Sequence, residues 1–172
     1  AIAPGTYKAN GASRMRVLLL TGCVQQALAP RLNLVTVHLL NRHGCDVTVA
    51  SGAECCGAFI LHMGKEEKAK ETAKKTIAAW EDELGLAEVS GAPIDAVVMN
   101  ASGCGTTVKD YGRIFAHEPE MVDRAQRIAD LAKDVTELLA DIGLNAPASV
   151  TPIAIAYHDA CSLQHAQKVI RP

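Results

Sequence analysis

Cys23, the adjacent pair Cys55 and Cys56, and Cys104 are the residues of this chain whose types and spacing could do chemistry. The pattern is a lone cysteine, 31 residues, Cys-Cys-Gly, 46 residues, then the cysteine of Ser-Gly-Cys-Gly. Neighbouring side chains point in different directions, so core packing explains one of the adjacent thiols at best. Thiolates bind metals, and four that converge suit either a mononuclear zinc or an iron-sulfur cluster. Two adjacent residues chelate one small ion with difficulty but can serve separate irons, which favours the cluster and leaves zinc as the alternative. Thiol-disulfide chemistry at Cys55 and Cys56 is a third reading. The bland one is that all four are small buried residues.

The elements that must position these thiols follow from hydrophobic periodicity. Short apolar runs predict strands over 16–22, 46–50, 94–103 and 150–157. Between them, Leu32, Val35, Leu39 and Leu40 have helical spacing that Gly44 ends, and Ala73, Ile77, Trp80 and Leu84 form a stripe on a lysine-rich, otherwise solvated helix. A short helix is expected after 103. A long one opens after Pro119 and runs unbroken through Val122, Ile128, Val135 and Ile142 to Gly143, and Asp159 is a candidate cap for a last helix. Alternating strands and helices predict an α/β fold, Rossmann-like, with a mainly parallel four-stranded sheet and helices on both faces.

In such a sheet every loop that follows a strand emerges at the same carboxyl edge, where open α/β folds place ligands. The topology therefore gathers Cys23, Cys55, Cys56, Cys104 and Cys161 there, with Cys45 at the opposite edge as a core residue. Helix N-termini beside these loops are expected to lower the thiol pKa values. Gly57, Gly103 and Gly105 let backbone approach a bulky group and aim amides at sulfur, and His158 is a candidate for hydrogen bonding at the cofactor. His38 and His43 read as structural, and His62 as a neighbour of the Cys-Cys-Gly turn.

A length of 172 residues suits one domain, and a net charge of -2 with six aromatic residues argues against nucleic acid as a partner. No apolar run is long enough for a transmembrane segment, so a soluble, cytoplasmic protein is expected. Six cysteines in a reducing compartment read as ligands or buried groups and not as disulfides. Residues 1–14, rich in Ala, Gly and Asn, read as a linker, and the chain as a fragment of something longer.

The Cys, Cys-Cys-Gly, Cys pattern resembles the CCG cysteine-rich domain found in heterodisulfide reductase and its relatives. The strings LLLTGCVQ, CCGA, NASGCGTTVKDYG and HDACSLQHAQ are more narrowly similar to the iron-sulfur subunit of glycolate oxidase. The resemblance implies that residues 15–157 are the first of two CCG cysteine-rich repeats and 158–172 the start of a truncated second, opened by Cys161. It also implies that Cys23, Cys55, Cys56 and Cys104 are the metal ligand set, and that a 4Fe-4S cluster is the cofactor. The implied role is electron transport, as an oxidoreductase subunit receiving electrons from flavin-containing partners that oxidise a 2-hydroxy acid. Attachment at the inner face of the cell membrane would come through that complex. The alternative is a zinc-stabilised or metal-free assembly domain docking the flavoprotein partners. Two departures stand out. The chain lacks the CxxCxxCxxxCP run of a ferredoxin-like domain, and Thr107 stands where a second cysteine of a terminal CxxC would be, which favours a four-thiolate cubane or a degenerate site.

Overall fold

In the computed structural model, which describes residues 2–146, 151–158 and 160–170, a five-stranded sheet carries helices on both faces. The strands are β1 (Gly5–Tyr7), β2 (Met15–Leu20), β3 (Cys45–Val49), β4 (Ala96–Met99) and β5 (Ala132–Asp134), in the order β1-β3-β2-β4-β5. β1 is antiparallel to β3, and every other pairing is parallel. The chain passes from β2 to β3 on one side and returns to β4 on the other. The strand order therefore reverses between β2 and β4, the kind of crevice in which open α/β sheets bind ligands.

Both faces of the central strands are covered, which is why β2 and β4 read as continuous apolar runs, while β3 alternates Cys45, Val47 and Val49 with Asp46 and Thr48. Leu18, Leu20, Val97 and Met99 point into a core with Trp80, Tyr111, Phe115 and Ile128. Val17, Leu19, Ala96 and Val98 point the other way, into a core with Val37, Leu40 and Leu138. The helices of the first face are α4 (Glu66–Val89), α5 (Ser102–Lys109), α6 (Tyr111–Ile114) and α7 (Val122–Leu131). α2 (Arg31–Arg42) and α8 (Val135–Ile142) cover the second. Two short helices, α1 (Cys23–Leu28) and α3 (Ala58–His62), lie at the carboxyl edge.

The expected α/β class, parallel sheet and two-faced helical cover are present, with four corrections. The sheet has five strands and not four: residues 5–7, expected within a linker, pair with β3 because buried Asp46 accepts from the Ala9 amide at 2.8 Å and from Lys8 at 3.0 Å. The single long helix after Pro119 is two helices divided by β5, which pairs in parallel with β4. Asp134 ends that strand and caps α8, accepting from the Thr136 amide at 2.9 Å while its own amide donates to Glu137 at 2.7 Å.

The expected strand at 150–157 is not formed in its described part. Residues 151–157 lie outside regular structure and are exposed, and the place beside β4 is filled by β5. On α2 the buried face is Asn33, Thr36, Val37 and Leu40, while Leu32 and Val35 are exposed, so the core side includes amide and hydroxyl groups that a hydrophobic stripe does not reveal. Asp159, the expected cap, lies outside the described residues.

Candidate metal centre

Cys23 is the first residue of α1, directly after β2, and Cys104 is in the first turn of α5, after β4. These two loops flank the point where strand order reverses. Cys55 and Cys56 follow β3 in the irregular stretch 51–57, which ends at Gly57 with φ +87° as the cap of α3. A left-handed residue is required there to turn the chain into the helix. The absence of a side chain matters too, because a Cβ on Gly57 would meet the Ala69 carbonyl oxygen of α4 at 2.8 Å.

The fold brings the four thiols together as two pairs. Cys55 Sγ donates to Cys23 Sγ at 3.2 Å. Cys56 and Cys104 line the same cavity and each shifts the other's thiol pKa, so the adjacent residues face different partners. Two backbone amides point at sulfur: Gly57 N lies 3.5 Å from Cys55 Sγ and Ala58 N 3.5 Å from Cys56 Sγ. Cys23, Cys56 and Cys104 line a cavity of about 380 Å³ whose walls include Leu28, Leu32, Phe59 and His62. No carboxylate lines it.

The electrostatics correct the expectation of generally lowered thiol pKa values. Burial, with bonding to Cys23 and the charge of neighbouring sulfurs, pushes the Cys55 thiol up to about 11 against the downward pull of the Gly57 amide. Cys56 is raised by its hydrogen bond to Cys104 and then by burial. Cys104 alone of these three is lowered, because it accepts the Cys56 thiol proton. Short helix ends do not outweigh sulfurs crowded in an apolar cleft. A bound cation would reverse this balance, since a coordinated thiol is deprotonated outright.

The other sequence candidates are placed as follows. Cys45 is fully buried in the core of the opposite face, burial raising its thiol. Cys161 is exposed, and the strand expected to carry it to the carboxyl edge is not formed; its segment reaches that edge instead by packing on the first turn of α5. Its segment packs on α5 through a π-helical turn, Ser162–Ala166: Ser162 Oγ donates to Ser102 Oγ at 2.7 Å and Gln167 Nε2 to the Ser102 carbonyl at 2.8 Å. Gly105 faces the Gln167 side chain, Gly103 borders the cavity, and His158 is exposed outside any helix or strand. His43 is buried and structural, bridging the Leu39 carbonyl at 2.7 Å and the Asn145 amide at 2.9 Å.

Sequence reasoning passed over the polar support behind the rim. Asn33, fully buried on α2, donates to the Thr21 carbonyl at 2.7 Å and accepts from Gln25 at 2.7 Å and Asn100 at 3.1 Å. Asn100 also donates to Thr36 Oγ1 at 2.8 Å. One side chain thus joins the loop before Cys23 to the loop before Cys104. Thr76 Oγ1 donates to the Cys55 carbonyl at 2.8 Å and Tyr111 Oη to the Cys56 carbonyl at 2.9 Å.

The donor set fits an iron-sulfur cluster: four sulfurs, amides aimed at sulfur, an apolar cavity and no opposing carboxylate on its wall. Among the described residues, no group of three or more His, Cys, Asp or Glu is placed so that it could hold a metal ion, which favours neither a cluster nor a zinc ion.

The chain is 37% identical over 156 residues to the glycolate oxidase iron-sulfur subunit of Escherichia coli (strain K12), a match covering 91% of this chain and 37% of that protein. It is 31% identical to a protein of Bacillus subtilis (strain 168) named as a probable glycolate oxidase iron-sulfur subunit, covering 90% and 33%. It is 29% identical to lactate utilization protein A of Shouchella clausii (strain KSM-K16), covering 91% and 60%. The chain thus spans about a third of the length of the first two. No solved structure matches it. Among the described residues no helix is long and apolar enough to cross a membrane. The CCG cysteine-rich domain matches residues 17–109, the stretch that holds all four clustered thiols, and the chain belongs to that family.

Proposed function

We propose that the chain is an electron-transfer module in which Cys23, Cys55, Cys56 and Cys104 hold an iron-sulfur cluster of the 4Fe-4S kind. The observation that carries this reading is the convergence of the four cysteines on the carboxyl edge of the sheet, Cys55 and Cys23 with sulfurs 3.2 Å apart and Cys23, Cys56 and Cys104 around one cavity. Such a cluster supplies reversible one-electron storage. The chain's own residues hold the sulfurs and donate the Gly57 and Ala58 amides to them, and Leu28, Leu32 and Phe59 give the cavity an apolar wall. No bond in a substrate is made by these groups.

The names of its relatives support a place in a glycolate or related 2-hydroxy acid oxidase or dehydrogenase; in this reading flavin-containing subunits deliver the electrons. In that setting the module is cytoplasmic, peripheral to the inner face of the cell membrane through the complex. Residues 158–172 open a second cysteine-rich repeat. Gly57, Gly103, Gly105 and His158 belong to the surroundings of the cofactor.

Anaerobic reconstitution with iron and sulfide tests the reading. The expected product is brown and contains about four irons and four sulfides per chain. Serine at Cys23, Cys55, Cys56 or Cys104 lowers that content, while Cys161→Ser leaves it unchanged. Colourless protein holding one zinc and no sulfide would overturn the proposal in favour of an assembly domain.

A further inference from the structure

We propose that Thr76 and Tyr111 are positioning residues for the adjacent thiols: their hydroxyls grip the two carbonyls of the Cys55–Cys56 pair and so aim one sulfur at Cys23 and the other at Cys104. As a role in cofactor binding, this rests on the reading of the four cysteines as cluster ligands.

The stretch 51–57 belongs to neither helix nor strand, so no ladder of backbone bonds sets the direction of its peptides. Adjacent residues aim their side chains according to the peptide between them, and a rotation of that unit would swing both sulfurs at once. Thr76 donates to the first carbonyl at 2.8 Å and Tyr111 to the second at 2.9 Å, from two different helices. Both are almost wholly buried, 1% and 0% exposed, and Cys56 is buried as well while Cys55 is half-buried, so the Cys56 carbonyl above all has no water to replace its donor.

Thr76 departs from the habit of its kind in this chain. Thr36, Thr72, Thr106 and Thr107 each turn the hydroxyl back to the carbonyl four residues earlier in the chain. That is the ordinary local bond for a helical threonine. Thr76 instead reaches Cys55, 21 residues away in sequence. Tyr111 is held edge-on to Phe115, with ring centroids 6.2 Å apart and planes at 72°, so its hydroxyl arrives at Cys56 on a fixed ring. On the opposite side of the same stretch the Gly57 and Ala58 amides reach the sulfurs. The pair is thus fixed at its carbonyls from the core and at its thiols from the chain that follows.

The test uses the reduced 172-residue chain in metal-free and reconstituted forms, as native protein, Tyr111→Phe, Thr76→Val and Thr76→Ser. In metal-free protein, iodoacetamide labelling is followed at each cysteine by mass spectrometry. Losing one buried hydrogen bond is expected to speed labelling of Cys55 and Cys56 about tenfold in Tyr111→Phe and Thr76→Val. Cys45, in the other core, keeps its native rate, and Thr76→Ser, which retains the hydroxyl, labels like the native chain. In reconstituted protein, Tyr111→Phe and Thr76→Val shift the midpoint potential and the electron paramagnetic resonance signal at native iron content. Unchanged labelling of Cys55 and Cys56, or an equal rise at Cys45 that marks general loosening, would overturn the proposal. If native protein takes up no iron and sulfide, the cluster reading fails, while the labelling still decides whether the two hydroxyls hold the pair.

Discussion

Gly57 and Gly105 are both glycines within a few residues of a clustered cysteine, yet the fold asks different things of them. At Gly57 a side chain would meet the rigid α4 backbone at 2.8 Å and would also have to adopt φ +87°. Gly57→Ala therefore destabilises the chain by about 3 kcal/mol, the sum of left-handed strain and overpacking. Urea denaturation checks it, with the loss appearing as a lower midpoint at unchanged slope. At Gly105 the backbone is helical and the nearest obstacle is the end of the Gln167 side chain, which can swing away. Gly105→Ala gains helix propensity, gives up the Gln167 contact, and changes stability by less than about 1 kcal/mol in the same measurement. The glycine of Cys-Cys-Gly is thus held in place by backbone packing as much as by any need of a cofactor.

At the scale of elements, β1 depends on one carboxylate. Burial alone would raise the Asp46 pKa, but the Ala9 amide and Lys8 outweigh it, and the carboxyl is held below its usual range. A carboxyl depressed in the folded state contributes stability above its unfolded pKa, and that contribution is lost as pH falls through the folded value. β1 is therefore expected to loosen in acid, below the ordinary carboxylate range, while the parallel strands hold. Hydrogen exchange at Thr6 and Tyr7, which pair with β3, should rise in acid relative to Val17 and Leu19 once corrected for intrinsic rates. Asp46→Asn should show the looser edge already at neutral pH and no further acid step.

The elements also show what could be read in advance. β2 and β4 were legible because buried parallel strands are plain apolar runs, β3 because Val47 and Val49 alternate with polar residues, and α4 because it carries a clean stripe of Ala73, Ile77, Trp80 and Leu84. β5 was not, because three residues embedded in a helix-period pattern give no period of their own. The one available signal was the Asp134–Glu137 capping pair, which marks a helix start in what reads as the middle of a helix. Residues 151–157 have strand composition, but composition does not supply a neighbouring edge, and β5 occupies the edge beside β4. The site was legible for a topological reason: three strand-ending cysteine positions in a parallel sheet must share an edge. Its polar scaffold was not, since Asn33, Thr76 and Tyr111 look like ordinary helix residues until their distant partners are known.

At the scale of the whole molecule, the crevice between β2 and β4 is bridged by side chains as well as by the sheet. Asn33 touches the loop before Cys23 through Thr21, meets Gln25 of α1, and meets Asn100 of the loop before Cys104. A fully buried amide with three partners leaves all three short of a bond when it is replaced by a hydrocarbon of similar size. Asn33→Leu is therefore expected to destabilise the chain by about 3 kcal/mol, a cost of desolvated partners and not of lost volume. The distinguishing consequence is spatial. Amide exchange should rise together over 21–25 and 100–104, two segments far apart in sequence, while 51–57, held by Thr76 and Tyr111, stays near its native protection. A rise confined to α2, or one spread evenly over the sheet, would show that Asn33 stabilises only its own helix or the fold at large. A paired rise would establish the amide as the link that keeps the Cys23 and Cys104 loops in fixed relation.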